Sequence, residues 1–494
     1  MGPRPEAPKA PVDREGEADD HSATLEAREV LRGIPERWAA DIWLRRPRQA
    51  RALLDLGQDR LDGPALGLQA WLVLVHDRDE KQAELLAREA LRRGGDTRFA
   101  SAALTETLLR RGEFDAALEV IAAARRRFPE VPWYDLTLAD ALIEAGRVAE
   151  AEDVLELVLG NSQLRRHALK RLSRAALARG DRARARRWFE ELVALAPNYL
   201  VFASDYVVLG TLQLQDGDRE AGRATWRRGT EVYPRHATLR GLLSEHFAET
   251  GVVAAPRIPP VDESALGVRR IPVRTPMITP RTGLLEVIDE ATAARRRPGD
   301  VIALSESAAA AGQGRILPLE LFRPGVVART LCRFVNEIGP LHSPAGMQGA
   351  VMESGRLRVL LAAAAGGAGK AVGRPGWFYR VAGPSTAMID DVAGCLPPHD
   401  HHVIFGPADP DRLATELAAG LGTPVAVVDA NHRTGAWVVG ASDAVDRPWL
   451  ARALADNPAG NEDERTPVVL VRATAPEDQV AGRPPASRRQ PVSR

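Results

Sequence analysis

The sequence predicts a multidomain protein in which an all-α solenoid of helical hairpins precedes an α/β (α+β) domain. With a soft prior of about 150 residues per domain, the 494 residues are expected to form two to four domains. The N-terminal half repeats every 34 residues, whereas the C-terminal half alternates short apolar strand-like segments with helical ones. The expected organisation is a disordered segment at 1–21, repeats at 22–250, a linker at 251–268, the second domain at 269–475 and a disordered tail at 476–494.

Regularly spaced glycines define the repeat. Gly112, Gly146 and Gly180 are each 34 residues apart, and Gly217 follows after a slip of three residues. A small residue stands five positions after each glycine: Ala117, Ala151, Ala185 and Gly222. The glycine supplies a turn between two antiparallel helices, and the small residue lets those helices approach closely. The spacing resembles that of tetratricopeptide repeats and predicts five or six hairpins.

A solenoid of this kind presents a concave groove. Each hairpin buries its apolar face only by stacking on its neighbours, and the stacked array curves into an extended surface. Such a surface usually binds a peptide or another protein, so we expect a protein or peptide partner in the groove.

Charge and cysteine content argue against several other classes of function. The 66 basic residues balance 66 acidic ones, so neither nucleic acid nor a membrane surface is an expected partner. The only cysteines, Cys332 and Cys395, are far apart, which argues against a disulfide scaffold. With no apolar run of membrane-spanning length, the sequence predicts a cytoplasmic protein.

The second half mixes the two kinds of element. Prolines recur between Val252 and Pro276, where the helical period ends. Helices are expected at Leu284–Arg296, Val326–Val335 and Pro410–Gly420. Strands are expected at Val301–Leu304, Leu357–Leu361, Trp377–Val381, Val403–Phe405, Val425–Val428, Trp437–Val439 and Val468–Val471.

Several short polar clusters follow these segments in a distinctive order. They read SESAAAAGQGR (305–315), GWFYRVAG (376–383), MIDD (388–391), GPADPD (406–411) and VAVVDANHRTG (425–435). Together they resemble the coenzyme F420-0:γ-glutamyl ligases over about 200 residues. The resemblance implies the fold of that family, a homodimer formed through this domain, and amide-bond formation of the γ-glutamyl type. It also implies GTP with Mg²⁺ or Mn²⁺, because a carboxyl group must be activated before an amine can displace its oxygen.

The resemblance also assigns individual residues. The acids that would hold metal fall on Asp390 and Asp429, and the Gly-Arg pair that would contact the nucleotide falls on Gly314 and Arg315. Lys370 follows a glycine-rich run and is the sole lysine of this domain, which makes it a third candidate contact for the cofactor. The run lacks the spacing of a phosphate-binding loop, so a flexible surface loop is expected there. No residue is singled out as catalytic.

Three histidines stand together in Pro-Pro-His-Asp-His-His. His399, His401 and His402 could bind a metal, since imidazole is the commonest protein ligand for transition metals. Adjacent side chains seldom all point inward, however, so a solvated turn is the expected structure.

Two functions from different classes remain open. The first is a ligase-like enzyme whose repeats recruit a protein. The second is a non-catalytic adaptor, favoured by departures from the family pattern: Ser307 and Ala310 stand where lysines are usual, and Ala430 follows the second acid. Convergence of Asp390, Asp429 and Arg315 in one cleft would favour the enzyme, and dispersal would favour the adaptor.

Overall fold

The computed structural model describes most of the chain between residues 39 and 474. The described residues are 39, 43–44, 46–55, 61–196, 200–234, 236–253, 258–335, 340–374, 376–389, 396–431, 435–460 and 464–474. The segments expected to be disordered, 1–21 and 476–494, lie outside these residues, as does Asp390.

The N-terminal half is a stack of antiparallel helices. They are α1 (Pro47–Asp55), α2 (Gly63–Leu72), α3 (Glu80–Arg93), α4 (Arg98–Arg110), α5 (Phe114–Arg127), α6 (Tyr134–Glu144), α7 (Val148–Leu157), α8 (Arg165–Ala178), α9 (Arg182–Ala194), α10 (Ala203–Gln215), α11 (Arg219–Val232) and α12 (Ala237–Phe247). A π-helical turn, Val73–Asp77, extends α2. Within the described residues, α2 to α11 pair into five hairpins, and α12 packs on the last of them. The predicted solenoid is confirmed.

The turns of the hairpins have the backbone conformation that the glycine period predicts. Gly112, Gly146, Gly180 and Gly217 all have positive φ, between 73° and 84°. Arg78 occupies the same phase one repeat earlier and has φ 57°, in the left-handed region that non-glycine residues rarely adopt. The period therefore fixes the turn geometry even where glycine is replaced.

Small residues allow close helix packing at the predicted positions. Ala83, Ala117, Ala151 and Ala185 are at most 1% exposed. In the last hairpin the closest approach is at Gly210 of α10, on which the indole of Trp226 rests; that indole donates to the carbonyl of Val207 at 3.3 Å. Volume at these positions therefore sets the distance between the two helices of a hairpin.

The C-terminal half combines a five-stranded sheet with helices. Its elements are α13 (Glu263–Leu266), β1 (Val268–Val273), α14 (Leu284–Thr292), β2 (Asp300–Ser305), α15 (Glu306–Gly312), β3 (Ile316–Pro318), α16 (Val326–Leu331), α17 (Pro344–Ser354), α18 (Arg356–Ala371), α19 (Trp377–Ala382), α20 (Pro384–Ala387), β4 (His402–Ile404), α21 (Pro410–Leu421), β5 (Val425–Asn431), β6 (Gly435–Ala441), α22 (Arg447–Ala453) and β7 (Val468–Ala473). Short 3₁₀ turns occur at Leu319–Leu321, Cys332–Phe334, Pro340–His342 and His399–His401. None of the helices in the described ranges is both long enough and apolar enough to cross a bilayer.

The sheet is mixed, with strand order β1-β7-β2-β5-β6. β2 and β5 are parallel, with Ile302 opposite Val425, and the other neighbouring pairs are antiparallel. Helices α14, α15 and α21 cover one face, and α22 covers the other. β3 and β4 form a separate antiparallel pair. The predicted mixture of strands and helices is confirmed.

Two predicted strands are helices instead. The segment Leu357–Leu361 begins α18, and Trp377–Val381 lies in α19. The run after Leu361 is rich in alanine, which has the highest helix propensity, and it carries the helix through Gly366 to Lys370. The loop expected at these glycines is therefore the last part of a helix.

The two halves share one hydrophobic core. A single buried cluster contains Trp71 and Leu104 from the solenoid together with Leu317, Met347 and Phe405 from the C-terminal half. Burying this apolar surface stabilises the pair of halves as one unit, rather than as two domains joined by a linker alone.

A pair of glycine substitutions separates packing from helix propensity. Gly210→Ala should lower the free energy of unfolding by about 1–3 kcal/mol, because the added methyl group collides with buried Trp226. Gly241 is at an exposed position of α12, with no atom within 4 Å of an added methyl group, so Gly241→Ala should raise the free energy of unfolding by up to about 1 kcal/mol. Denaturant unfolding of both variants tests this; equal effects would contradict the packing explanation.

Candidate functional site

The concave face of the solenoid meets the C-terminal half around a large cavity. Helices α4, α6 and α8 line one side of it, and residues 279–281, 316–320 and 396–402 line the other. The volume is about 1020 Å³, and apolar atoms predominate on its walls. A cavity of this size is enough for a peptide segment or a small organic molecule.

A buried ionic network holds this wall in place. The guanidinium of Arg171 in α8 binds two carboxylates at once: Asp140 of α6, through two contacts of 2.7 Å, and Asp400, through two contacts of 2.8 Å. Nδ1 of His167 also contacts Asp400 at 2.8 Å. Arg171, His167 and Asp400 are at most 4% exposed. Paired, planar contacts of this kind fix orientation as well as distance.

The protonation states in the network follow from burial and charge. Burial alone would raise the pKa of Asp400, but the charge of Arg171 and the hydrogen bonds from His167, His401 and Arg171 hold it well below its ordinary value. Burial lowers the pKa of His167 to about 4, against the opposing effect of Asp400. At neutral pH His167 is therefore a neutral imidazole that donates its Nδ1 proton to an ionised Asp400.

A second set of contacts joins the two halves near the start of α4. The Arg98 side chain, from α4, donates to the carbonyls of Glu320 and Phe322 at 3.0 and 3.1 Å. The Glu320 carboxylate in turn accepts from the hydroxyl of Thr137 at 2.8 Å. These contacts hold the turn after β3 against α4 and α6.

Several polar atoms on the cavity wall have no hydrogen-bond partner among the described residues, among them ring nitrogens of Trp71, His399 and His402. The hydroxyl of Tyr134 and one carboxyl oxygen of Glu320 also belong to this set, and their residues are 4% and 3% exposed. Burial raises the pKa of both groups. Buried polar groups in folded proteins nearly always have a partner, so these two atoms offer hydrogen bonds to a bound molecule.

Cationic side chains surround the mouth of the cavity. Arg274 and Arg465 line it, are exposed, and have no ion-pair partner among the described residues. Arg281 also lines it and is held by Glu106 and Glu144, at 3.0 and 2.6 Å. The mouth therefore favours a ligand with negative charge at one end.

The three histidines do not lie in the solvated turn that the sequence predicts. His399 and His401 are 9% and 2% exposed, and all three line the cavity or its wall. Burial lowers the pKa of His399 to about 4 and that of His402 well below its ordinary value. The expectation failed because the turn packs against the solenoid, a contact that a local sequence pattern does not report.

Gly314 and Arg315 lie beside the solenoid. Arg315 is 6% exposed, and its guanidinium donates to the carbonyls of Gly406 and Leu44 and to the carboxylate of Glu353, at 2.5 to 2.8 Å. Gly314 has φ 72°, and a side chain there would collide with Val75. Both residues thus help to join the halves, and Arg315 also lines a second cleft of about 1390 Å³.

The other predicted site residues are placed elsewhere. Lys370 lies in the last turn of α18 and donates to the carbonyl of Phe334 at 3.1 Å. Asp429, on β5 opposite Trp437 of β6, is half-buried, and burial raises its pKa. Trp437 lines the second cleft with Arg315, whereas Lys370 and Asp429 line neither cavity. Asp390 lies outside the described residues, so its metal assignment stays a prediction.

No group of three or more His, Cys, Asp or Glu side chains is arranged to hold a metal ion in the described parts of the chain. The cluster that the structure does assemble, Asp140, His167, Arg171 and Asp400, was missed from the sequence. Its one local signal is the spacing of His167, Lys170, Arg171 and Arg174, which puts four polar side chains on one face of α8.

Comparison with known proteins supports the repeats. The sequence profile of the tetratricopeptide repeat family matches residues 108–175. The N-terminal half therefore contains tetratricopeptide repeats, a protein-interaction module. No curated protein matches the chain.

Several solved structures are similar to parts of the fold. The C-terminal part of a TPR repeat-containing protein from Cytophaga hutchinsonii is 16% identical, with 43% of this chain and 84% of that chain covered and a TM-score of 0.35. A thermophilic TPR protein from Thermus thermophilus is 18% identical, with 37% and 98% covered and a TM-score of 0.24. The type IV pilus biogenesis factor PilW is 19% identical, with 42% and 97% covered and a TM-score of 0.32.

Substituting Asp400 tests the ionic network. Asp400→Asn leaves Arg171 buried with reduced charge compensation, and should lower the free energy of unfolding by about 3 kcal/mol. Glu150→Gln, which removes a fully exposed ion pair with Arg147, should leave it nearly unchanged because solvent screens the pair. Denaturant unfolding measures both. An Asp400→Asn variant as stable as the native chain would show that the network does not hold the halves together.

Proposed function

We propose that the chain is a non-catalytic adaptor that binds a peptide segment of a partner protein in the cavity between its halves. The observation that carries this proposal is the partly closed cavity on the concave face of a tetratricopeptide array, with unsatisfied polar atoms of Tyr134 and Glu320 on its wall. The C-terminal half serves as a fixed wall of the binding site.

The positions of the predicted nucleotide contacts support the adaptor over the enzyme. To bind a phosphate, Arg315 would give up contacts with Gly406, Leu44 and Glu353, and leaving such buried partners unpaired costs about 1–3 kcal/mol for each. Lys370 lies on α18 and is not among the residues that line the cleft beside Arg315. Among the described candidates, Asp429 also does not line the cleft that contains Arg315.

The lining of the cavity indicates which kind of peptide segment would bind there. Apolar surface predominates on the walls, so burial of an apolar side chain of the partner there would be favourable. The hydroxyl of Tyr134 and the free oxygen of Glu320 would bond to polar groups of the segment. Arg274 and Arg465 favour an acidic residue or a terminal carboxylate at the mouth.

A displayed library of random peptides, selected on the full chain, tests the adaptor. Selected peptides should be enriched in acidic residues next to an apolar one. Tyr134→Phe should weaken their binding about three- to tenfold, because it removes one hydrogen-bonding group and leaves the volume nearly unchanged. Tyr379→Phe, on α19 outside the cavity, is the matched control and should bind normally. Peptides that bind both variants and the native chain equally would place the binding surface elsewhere.

The ligase remains the second candidate, because the order of motifs resembles the F420-0:γ-glutamyl ligases. On this proposal GTP and Mg²⁺ or Mn²⁺ would use Asp390, Asp429, Gly314 and Arg315 to activate a carboxyl group for amide formation. A homodimer through the C-terminal half and a cytoplasmic location belong to the same set of untested proposals. Mass measurement in solution tests the homodimer, and cell fractionation tests the location.

Titration calorimetry of the full chain separates the two candidates. The adaptor predicts no metal-dependent binding of GTP or ATP with Mg²⁺ or Mn²⁺. Binding that requires metal and is lost in both Asp390→Ala and Asp429→Ala, but is kept in the exposed control Asp443→Ala, would overturn the adaptor in favour of the ligase. Circular dichroism of each variant confirms that loss of binding is not loss of fold.

A further inference from the structure

Helix α18 has an exposed face that is wholly apolar. It buries only Val359, Ala362 and Gly369 among its residues. The opposite face exposes Leu357, Leu360, Leu361, Ala364, Ala368 and Val372, at helical spacing. Leu357 is 72% exposed and Leu361 57%, and Val372, just past the helix, is 61% exposed.

The shape of this face suits another helix. Leucines occupy its first half, and the second half carries only alanine and glycine up to Val372. Small residues let a second helix approach closely, while the leucines provide apolar surface for it to bury. The residues of this face add up to an exposed apolar area on the order of several hundred Å², the range in which patches on a monomer are often functional.

The surroundings of α18 are strongly basic. Residues 323–389 contain the basic residues Arg323, Arg329, Arg333, Arg356, Arg358, Lys370, Arg374 and Arg380, and the acidic residues Glu337 and Glu353. Glu353 is paired with Arg315, at 2.8 Å, and Arg323 is paired with Asp96, also at 2.8 Å. In a chain with no net charge, this concentration favours an acidic occupant.

A chain of contacts links the first described residues to the helices around α18. The carbonyl of Leu44 accepts from Arg315, which pairs with Glu353 near the end of α17. α18 begins three residues later, at Arg356. Ala39 and Leu44 also belong to the buried cluster that contains Val359 of α18. Residues 1–38 therefore join the described chain at Ala39, which belongs to the same buried cluster as Val359.

The sequence of this segment matches the face in charge and period. Residues 1–38 contain nine acidic and six basic residues, and residues 13–20 contain five acidic and one basic. Ala23, Ala27, Val30, Leu31 and Ile34 follow a helical spacing that would align them on one side.

We propose that residues 13–34 of the chain's own N-terminal segment cover the exposed apolar face of α18, with the acidic run against the basic residues around it. A second copy of the chain is a poorer occupant, because it would bring two strongly basic faces together. The surface is separate from the peptide-binding cavity, so this inference does not depend on the adaptor function.

Hydrogen–deuterium exchange of the full chain tests the proposal. Val30→Asp combined with Leu31→Asp should speed the exchange of α18 amides by about tenfold or more, because two buried apolar contacts are lost. Leu157→Asp, which adds a charge at an 80% exposed site of α7, is the control and should leave α18 unchanged. A synthetic peptide of residues 13–38, added to the double variant, should restore protection, and a peptide with Asp19→Lys and Asp20→Lys should restore less.

Three results would overturn the proposal. The first is unchanged exchange of α18 in the double variant. The second is protection that rises with protein concentration equally in the native chain and the double variant, which would identify a second copy as the occupant. The third is protection that appears only with phosphatidylcholine–phosphatidylglycerol vesicles, which would identify a lipid surface.

Discussion

The guanidinium of Arg171, held between Asp140 and Asp400, is the contact on which the arrangement of the two halves depends. Arg171 and Asp400 are buried, Asp140 is partly exposed, and each carboxylate is held by two hydrogen bonds. A buried charge is tolerated only when compensated in good geometry, so the turn at Asp400 can sit in one orientation against α6 and α8. That orientation sets the width of the cavity and places Glu320 and the histidine turn on its wall.

This arrangement reduces the part of the tetratricopeptide groove that a partner can reach. In an open solenoid the whole concave face is available to a partner. In this chain the C-terminal half packs beside the part of the concave face that α4, α6 and α8 form. The apolar cluster that the two halves share stabilises this contact as part of the folded state. A bound partner would therefore contact both the repeats and the segment of the C-terminal half that contains the histidines.

The elements that could be predicted from sequence are those set by local physics. Positive φ at Gly112 and Gly146 follows from a turn that recurs every 34 residues, and the strands at Val425–Asn431 and Val468–Ala473 follow from short apolar runs. Leu357–Leu361 was misread because a short segment with four apolar residues does not by itself separate a strand from a helix. The contact of Arg171 with Asp400 joins residues 229 positions apart, so no local pattern could show it. For the same reason, the sequence placed Arg315 by resemblance and could not show its contact with Leu44.

The buried contact at Asp400 also limits how this protein can vary in length. Solenoids commonly gain or lose whole repeats, since each repeat contacts only its neighbours and the array is simply made longer or shorter. Here an extra hairpin between α4 and α8 would rotate and displace His167 and Arg171 relative to Arg98, while the C-terminal half must reach all three. The number of repeats in that stretch is therefore fixed by the second half of the chain, and variation in repeat number is confined to the hairpins beyond α8.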